Sequence, residues 1–250
     1  MRILFYDLET APSMAYVWKI WQENIGINQL IEAGKVISFS AKFYGEEDIY
    51  GMTEFHDGHA EMVSGLFQLM EEADVIVAYN GNKFDRPVMN AEFLKYGFGP
   101  PPPSKQIDLY QTVKKNFRFV SNRLDYVCRF LGLEGKAETG GFKLWSDCLN
   151  GVESAWDTML EYNMKDVEIL ENLYVRLLPW IKDHPNVALY SEKHDVCTNC
   201  GGTHIQSRGV ARTATATYRR FQCMDCLTWM RSRLSEKDSF KPSMIGDKTQ

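Results

Sequence analysis

The N-terminal part of the chain alternates between short apolar runs and segments whose apolar residues recur every three or four positions. Residues 2–8 form an apolar run rich in strand-forming side chains, which predicts a buried first strand. Four later stretches predict further strands, at 36–44, 49–53, 75–78 and 106–110. A polar turn joins the first two of these stretches, so we expect them to pair with each other.

Helical spacing of apolar residues marks the segments between and after these strands. It predicts helices over 60–72, 85–96 and 154–180, and Ser121 is a suitable N-cap for a shorter helix. Residues 16–33 fit a helix or irregular structure. Strands that come first and then alternate with helices predict an α/β fold with a mixed sheet flanked by helices.

The composition is that of a globular protein. The chain has 250 residues, 44% hydrophobic and 24% charged, which allows one large domain or a domain with a small module. No apolar run reaches the roughly 18 residues that span a bilayer, and the apolar start of the chain is too short for a signal peptide. We therefore expect a cytoplasmic protein without membrane association.

Four of the six cysteines form two closely spaced pairs in the C-terminal part of the chain. They are Cys197, Cys200, Cys223 and Cys226. This spacing predicts one structural Zn²⁺ held by four thiolates, in a zinc ribbon that folds with its metal. His194 and His204 are alternative ligands, and two redox pairs are the alternative interpretation. The isolated Cys128 and Cys148 lie among apolar residues, where we expect small buried side chains.

The cysteine segment is locally basic, although the whole chain has a net charge of −5. Between 197 and 234 there is one acid, Asp225, and the arginines are Arg208, Arg212, Arg219, Arg220, Arg231 and Arg233. Tyr218, Phe221 and Trp229 lie among them. Cations bind phosphates and rings stack on bases, so the pattern predicts a nucleic-acid surface that includes Arg212, Arg219 and Arg220. A solvated hairpin or a protein-docking surface is the alternative.

Changes in composition along the chain predict where its parts begin and end. A polar stretch that contains Pro185 separates the α/β segment from the cysteines. We predict a first domain over 1–182, a linker over 183–195, a zinc ribbon over 196–234 and a flexible tail over 235–250.

Two carboxylates lie at the end of the first predicted strand. Asp7 and Glu9 are two positions apart, so both side chains point to the same face of the sheet. Two negative charges this close repel unless a cation lies between them, which favours a metal site. The alternative is a pair of acids at an exposed strand end.

Three further residues fit the same kind of site, although each also has an ordinary explanation. Asp85 follows an apolar strand and an Asn-Gly turn, where it could equally be a helix-start residue. Tyr162 and Asp166 are four apart, hence on one face of a helix. Together they could equally be a buried tyrosine and a surface acid.

In this order the three segments resemble the Exo I, Exo II and Exo III motifs of the DEDD exonucleases. Asp7-Leu8-Glu9 corresponds to Exo I, and Asn80 to Asp85 corresponds to Exo II. Tyr162 and Asp166 resemble the tyrosine version of Exo III, which defines the DEDDy subgroup. The residues of Exo II and Exo III are similar to those in proofreading domains of family B DNA polymerases. The resemblance implies a ribonuclease H-like fold and 3′→5′ hydrolysis of phosphodiester bonds to 5′-mononucleotides.

The resemblance also implies a role for each residue. Asp7, Glu9, Asp85 and Asp166 would hold two Mg²⁺ or Mn²⁺ ions, and Tyr162 would orient the attacking water. Asn80 and Phe84 would lie beside the terminal nucleotides, although Phe84 could instead belong to the core.

Several points remain open at the level of sequence. DNA with single-stranded or frayed 3′ ends is the favoured substrate, and a replication or repair protein is a candidate partner. The alternatives are an RNA-trimming or structure-selective nuclease on the same fold, or a non-catalytic protein that binds nucleic acid or another protein through its zinc ribbon.

Overall fold

The computed structural model describes residues 1–21, 24–136 and 139–236. The chain divides into two compact units, of which the first is Met1–Leu173 and the second begins at Tyr174. The domain boundaries proposed from the sequence, at 182 and 195, stay a prediction. Residues 237–250 of the predicted tail lie outside the described residues.

A five-stranded sheet forms the centre of the first unit, and a two-stranded hairpin accompanies it. In chain order the strands are β1 (Ile3–Thr10), β2 (Met14–Ala15), β3 (Leu30–Glu32), β4 (Val36–Phe43), β5 (Ile49–Thr53), β6 (Val75–Ala78) and β7 (Lys105–Asp108). The order within the sheet is β5, β4, β1, β6, β7. Because β1 pairs antiparallel with β4 and parallel with β6, the sheet is mixed, as predicted.

Helices cover both faces of this sheet. They are α1 (Glu54–Asp57), α2 (His59–Glu71), α3 (Asp85–Lys95), α4 (Leu109–Asn116), α5 (Leu124–Phe130), α6 (Phe142–Leu149) and α7 (Glu153–Leu177). On one face, side chains of α2 and α3 such as Leu66 and Met89 pack in one core with Tyr6 of β1. On the other face, Met159 of α7 packs with Ile37 of β4. The result is the predicted α/β fold, with helices on each side of the sheet.

The alternation of side chains along β1 decides where its polar residues point. Tyr6 and Leu8 are buried in the core beneath α2 and α3. Asp7 and Glu9 therefore project from the opposite face of the sheet. That face is the one that α7 covers, since Asn163 of α7 donates a hydrogen bond to Asp7.

Some local predictions from the sequence are wrong, each for a physical reason. Ser121 does not cap the following helix, whose N-cap is Arg123; its hydroxyl instead accepts the backbone N–H of Arg123. Residues 109 and 110 do not extend the last strand, because the Asp108 carboxylate accepts the N–H of Gln111 and begins α4. Part of 16–33 forms strand β3, which pairs antiparallel with β2 in a short hairpin. The irregular pattern of polar and apolar residues in this segment does not predict a strand.

The second unit contains a small three-stranded antiparallel sheet. Its strands are β8 (Ile205–Arg212), β9 (Thr217–Cys223) and β10 (Trp229–Ser235), with β9 in the centre. Strands β8 and β9 form an antiparallel hairpin, and β10 adds a third strand. Its buried residues include Val196, Cys197, Cys223 and Thr228, which is a small core for a folded module.

None of the helices in the described residues combines the length and the apolar character that a membrane crossing requires.

Gly81 gives a direct test of the packing between β6 and α3. A methyl group added at this position would lie 2.4 Å from the Cβ of Ala78, which is buried in the sheet and has no flexible side chain to move away. We expect Gly81→Ala to lower the free energy of unfolding by about 1–3 kcal/mol because the core is overpacked. Urea denaturation measures this change.

Gly99→Ala is the matched control, because its added methyl group meets no heavy atom within 4 Å and the backbone there is not left-handed. We expect a change within about 0.5 kcal/mol for this variant. Equal destabilisation by the two substitutions would contradict the packing described for Gly81.

Candidate active site and cysteine cluster

Three elements of the first unit bring the predicted acidic residues to one edge of the sheet. Asp7 and Glu9 lie towards the end of β1, and Asp85 is the first residue of α3, which follows the neighbouring parallel strand β6. The carboxyl ends of adjacent parallel strands open onto the same crevice of an α/β sheet. Asp166 enters from α7, which covers the face to which Asp7 points.

Three of the four predicted acids form a close cluster. One carboxylate oxygen from each of Asp7, Glu9 and Asp166 lies within 4.8 Å of the others. Asp166 is fully buried and Asp85 nearly so. Asp85 does not belong to this close group, but its charge contributes to raising the pKa of Asp7 and of Glu9, so it lies within electrostatic reach.

Asn163 fixes the position of Asp7. Its Nδ2 donates to Asp7 Oδ2 at 2.9 Å, and its Oδ1 accepts the hydroxyl of Ser38 at 3.2 Å. Both Asn163 and Ser38 are fully buried, so this chain of hydrogen bonds ties α7 to β1 and β4. Asn163 was not among the site residues predicted from the sequence. The available signal was a polar residue at a position where the apolar spacing of α7 places the core.

Lys136 is a second residue that the sequence analysis missed. Its Nζ donates to the Asp166 carboxylate and to the Tyr162 hydroxyl, the latter at 3.0 Å. The same Nζ lies 5.1 Å from the centroid of the Tyr162 ring. One ammonium group thus holds together the two side chains that share a face of α7. Lys136 lies in a loop without periodicity, so only the folded chain reveals this contact.

The electrostatics of the cluster are unfavourable without a further cation. Burial, and then the charge of Asp166, raise the pKa of Asp7 well above its usual range, while Lys136 acts in the opposite direction. Burial likewise raises the pKa of Glu9 to about 7 and that of Asp85 to about 6. One ammonium group thus faces four carboxyl groups among the residues that the structure describes.

The donor set fits a hard divalent cation. Asp166 Oδ1 is buried and has no hydrogen-bond partner among the described residues. A buried polar oxygen without a partner is costly, and a metal ligand bond would satisfy it. Carboxylate oxygens are the ligands that Mg²⁺ and Mn²⁺ prefer.

Tyr162 is a neutral phenol at this site. Burial and the charge of Asp166 raise its pKa to about 12, despite the hydrogen bond from Lys136. Its hydroxyl therefore keeps its proton at neutral pH and cannot serve as a base. It can position a neighbouring water or phosphate oxygen.

A cleft of about 780 Å³ opens beside the acidic cluster. It is lined by Asp7, Tyr79, Asn80, Lys83, Tyr110, Asn122, Arg123, Leu124, Asp125 and Lys136. Three of these side chains are cationic, which suits a phosphate backbone.

Asn80 has a left-handed backbone (φ 67°), and its N–H donates a hydrogen bond to the Asp108 carboxylate. The side chain of Phe84 is 46% exposed, so the alternative that it belongs to the core is wrong.

In the second unit the four predicted cysteines lie together. The Sγ atoms of Cys197 and Cys226 are 3.5 Å apart, and those of Cys200 and Cys223 are 3.6 Å apart. These distances are far longer than a disulfide, and the cysteines are free. Tetrahedral zinc with bonds of about 2.3 Å would separate its sulfurs by about 3.8 Å, so the cluster fits this metal.

The backbone adopts the same left-handed conformation directly after each pair of cysteines. Gly201 follows the first pair and Leu227 follows the second, and both have a left-handed backbone, with φ of 73° and 66°. Backbone N–H groups of Asn199 and Gly202 donate to the sulfurs of Cys197 and Cys200. Such donors stabilise thiolates. Neither predicted alternative ligand, His194 or His204, belongs to the candidate metal-binding groups of the described residues.

The three arginines predicted to bind substrate do not share one face of the small sheet. Arg219 and Arg220 are neighbours on β9 and point to opposite faces. Arg219 forms an ion pair with Glu236 at 3.1 Å, while the Arg220 guanidinium lies over Trp229. Arg212 is exposed at the end of β8. A role in substrate binding stays a prediction for each of them.

The solved structures that resemble this chain in fold include a DNA polymerase. It is the family B DNA polymerase from the hyperthermophilic archaeon Pyrobaculum calidifontis, with a TM-score of 0.51 and 20% identity. The match covers 71% of this chain but 24% of the polymerase chain, so this chain corresponds to about a quarter of that protein. Comparison with curated protein sequences finds no significant match.

The chain also matches the sequence model of a protein family. The model RNase_H_2, of the RNase_H superfamily, matches residues 26–178, which is more than half of the chain. The match includes Asp85, Tyr162 and Asp166 and begins after Asp7 and Glu9. The matched family and the clustered acids support a nuclease that acts on nucleic acid. This chain belongs to the RNase H superfamily.

Proposed function

We propose that the first unit is a metal-dependent 3′→5′ exonuclease of the DEDDy type, which releases 5′-mononucleotides. The observation that carries the proposal is the clustering of Asp7, Glu9 and Asp166 within 4.8 Å, with Tyr162 one helical turn from Asp166. Two separate segments of the chain, β1 and α7, supply these residues. An arrangement of buried like charges is costly to the fold, and metal-dependent phosphodiester hydrolysis is the function that explains it.

The four acids would hold two Mg²⁺ or Mn²⁺ ions, with Asp7, Glu9 and Asp166 around one and Asp85 contributing to the other. When bound, such ions acidify water and neutralise charge on the phosphate. The protein itself contributes rigid positioning. Asn163 holds Asp7, and Lys136 holds Asp166, so the acids are oriented before substrate arrives.

Tyr162 and Lys136 act as a pair in this proposal. The Tyr162 hydroxyl keeps its proton and orients the attacking water. Lys136 stays charged, because the charges of Asp166 and Asp7 raise its pKa in spite of its burial. It fixes the hydroxyl of Tyr162 by donating a hydrogen bond to it.

We favour DNA with single-stranded or frayed 3′ ends as the substrate. The resemblance of the motifs to polymerase proofreading domains supports DNA, and the cationic cleft beside the acids supports a single strand that passes Asn80. RNA is the second substrate to test. For the second unit we propose one structural Zn²⁺ on Cys197, Cys200, Cys223 and Cys226, and a role in holding nucleic acid.

Removal of one acid should abolish cleavage. We expect wild-type protein with Mg²⁺ or Mn²⁺ to shorten a 5′-labelled oligonucleotide stepwise from its 3′ end, for DNA more than for RNA. Asp7→Asn and Asp166→Asn should each lower the rate by about a thousand-fold or more, since the acids act as a unit. Gel analysis of the products reports both the polarity and the rate.

Glu168→Gln, which replaces a partly exposed acid two positions from Asp166 on α7, is the matched control and should cleave normally. Undiminished cleavage by Asp7→Asn or Asp166→Asn would overturn the assignment. A wild-type protein that binds the strand without cleaving it would favour the non-catalytic alternative.

Loss of the contact between Tyr162 and Lys136 should slow the chemical step. We expect Tyr162→Phe to lower kcat by about 10²–10³, because a positioned hydroxyl is lost while the ring remains. Lys136→Met should also lower kcat, and the double variant should be less impaired than the product of the two single effects. Single-turnover kinetics measures the rate constant of the chemical step, and strictly multiplicative effects on it would show that the two residues do not act together.

The cysteine cluster should contain about one zinc ion per chain. Cys200→Ser should lose this zinc and lower the thermal stability of the second unit, because the small core depends on the metal. Elemental analysis after exhaustive dialysis measures the zinc content. Cys148→Ala removes a thiol outside the cluster and should retain the metal. Zinc-free wild-type protein with an unchanged melting profile would contradict a structural zinc site.

A further inference from the structure

One face of the three-stranded sheet in the second unit carries two pairs of an aromatic ring and a guanidinium. The cross-strand register places Tyr218 and Arg220 of β9 on the same face as Trp229 and Arg231 of β10. The Arg220 guanidinium carbon lies 4.9 Å from the ring centroid of Trp229, and that of Arg231 lies 4.1 Å from the ring centroid of Tyr218. We call these four residues the stacking face.

The stacking face presents flat, accessible groups. Trp229 is 53% exposed, both arginines are exposed, and Tyr218 is half-buried. A guanidinium is planar, so a guanidinium that lies over a ring offers a second flat surface as well as N–H donors. Rings and guanidinium planes are the groups on which unpaired bases stack.

The opposite face of the same sheet has a different character. Arg219, Phe221 and Met230 line a cavity of about 900 Å³ within the second unit. The charge of Arg219 is compensated there by Glu236 at 3.1 Å. Cys223, which belongs to the sulfur cluster, lies on this side and is fully buried. The opposite face therefore contributes more to the interior of the module than the stacking face, of whose four residues only Arg231 also lines the cavity.

Charge points to the kind of ligand. The three strands, all of whose residues the structure describes, contain six arginines and no acidic residue. A polyanion is the complementary partner. In a duplex the bases are paired and stacked on each other, so exposed rings gain little from it. A single strand offers both phosphates and free base faces.

We propose that the stacking face binds single-stranded nucleic acid, with bases on Trp229 and Tyr218 and phosphates on Arg220 and Arg231. This inference rests on the proposed function only in taking nucleic acid as the ligand. The binding itself requires no hydrolysis, so the two proposals can fail separately.

Binding by the full-length chain tests this proposal. Fluorescence anisotropy would measure the affinity for labelled oligothymidylate and for a duplex of the same length, in an Asp7→Asn background that prevents degradation. We expect Trp229→Ala and Tyr218→Ala each to weaken binding of the single strand by about 10-fold. Binding of the duplex should be weaker in the parent protein and unchanged by these substitutions.

Two kinds of control separate stacking from folding. Trp229→Phe and Tyr218→Phe keep a ring and should retain most of the affinity. Val210→Ala, on the opposite face beside Arg219, should leave the affinity unchanged. The zinc content of every variant, measured by elemental analysis, shows whether the module is intact.

Three results would overturn the proposal. The first is an unchanged affinity for the single strand in the Trp229→Ala/Tyr218→Ala double variant. The second is an equal loss for single strand and duplex, which would indicate a surface that reads phosphates alone. The third is equally tight binding of polyglutamate, which would indicate a site for acidic peptides. Ring-dependent binding in a chain whose wild type does not cleave would refute the exonuclease and leave the stacking face intact.

Discussion

The repulsion among the clustered carboxylates of Asp7, Glu9 and Asp166 is the interaction that most constrains the first unit. Asp7, Glu9 and Asp166 come from β1 and α7, which a hydrogen bond from Asn163 to Asp7 joins, while apolar side chains of α7 pack against Ile37 of the neighbouring strand β4. Burial raises the pKa of each of the three acids, and one ammonium group, that of Lys136, offsets their charge only in part. Divalent cations bound by these carboxylates would relieve the repulsion, and they are also what phosphodiester hydrolysis by the proposed mechanism needs.

The second unit also brings candidate metal ligands close together, but these are cysteine sulfurs, which are softer ligands than carboxylate oxygens. Its sheet buries few side chains, and the four cysteine sulfurs lie within 4.8 Å of one another. A metal that joined them would cross-link the module and supplement its small core. One face lines the cavity of the module, and the other displays Trp229, Tyr218 and their arginines.

Residues inside periodic elements were predictable from the sequence, whereas residues in loops were not. The alternation in β1 was enough to place Asp7 and Glu9 on one face and Tyr6 on the other. The spacing of four in α7 was enough to pair Tyr162 with Asp166. Lys136 was not predictable, because its loop carries no pattern and its partners lie 26 and 30 positions away. The ion pair between Arg219 and Glu236 was not predictable either, because 17 positions of the chain separate the two residues.

Thermal stability with and without Mn²⁺ tests the central claim most directly, because the claim concerns charge repulsion rather than catalysis. Without added Mn²⁺ or Mg²⁺, Asp7→Asn removes one of the repelling charges and should melt at a higher temperature than the wild type. Added Mn²⁺ should stabilise the wild type strongly and the variant little, which reverses the order. A wild type that melts at the same temperature with and without Mn²⁺, or a variant that gains as much as the wild type, would contradict this account.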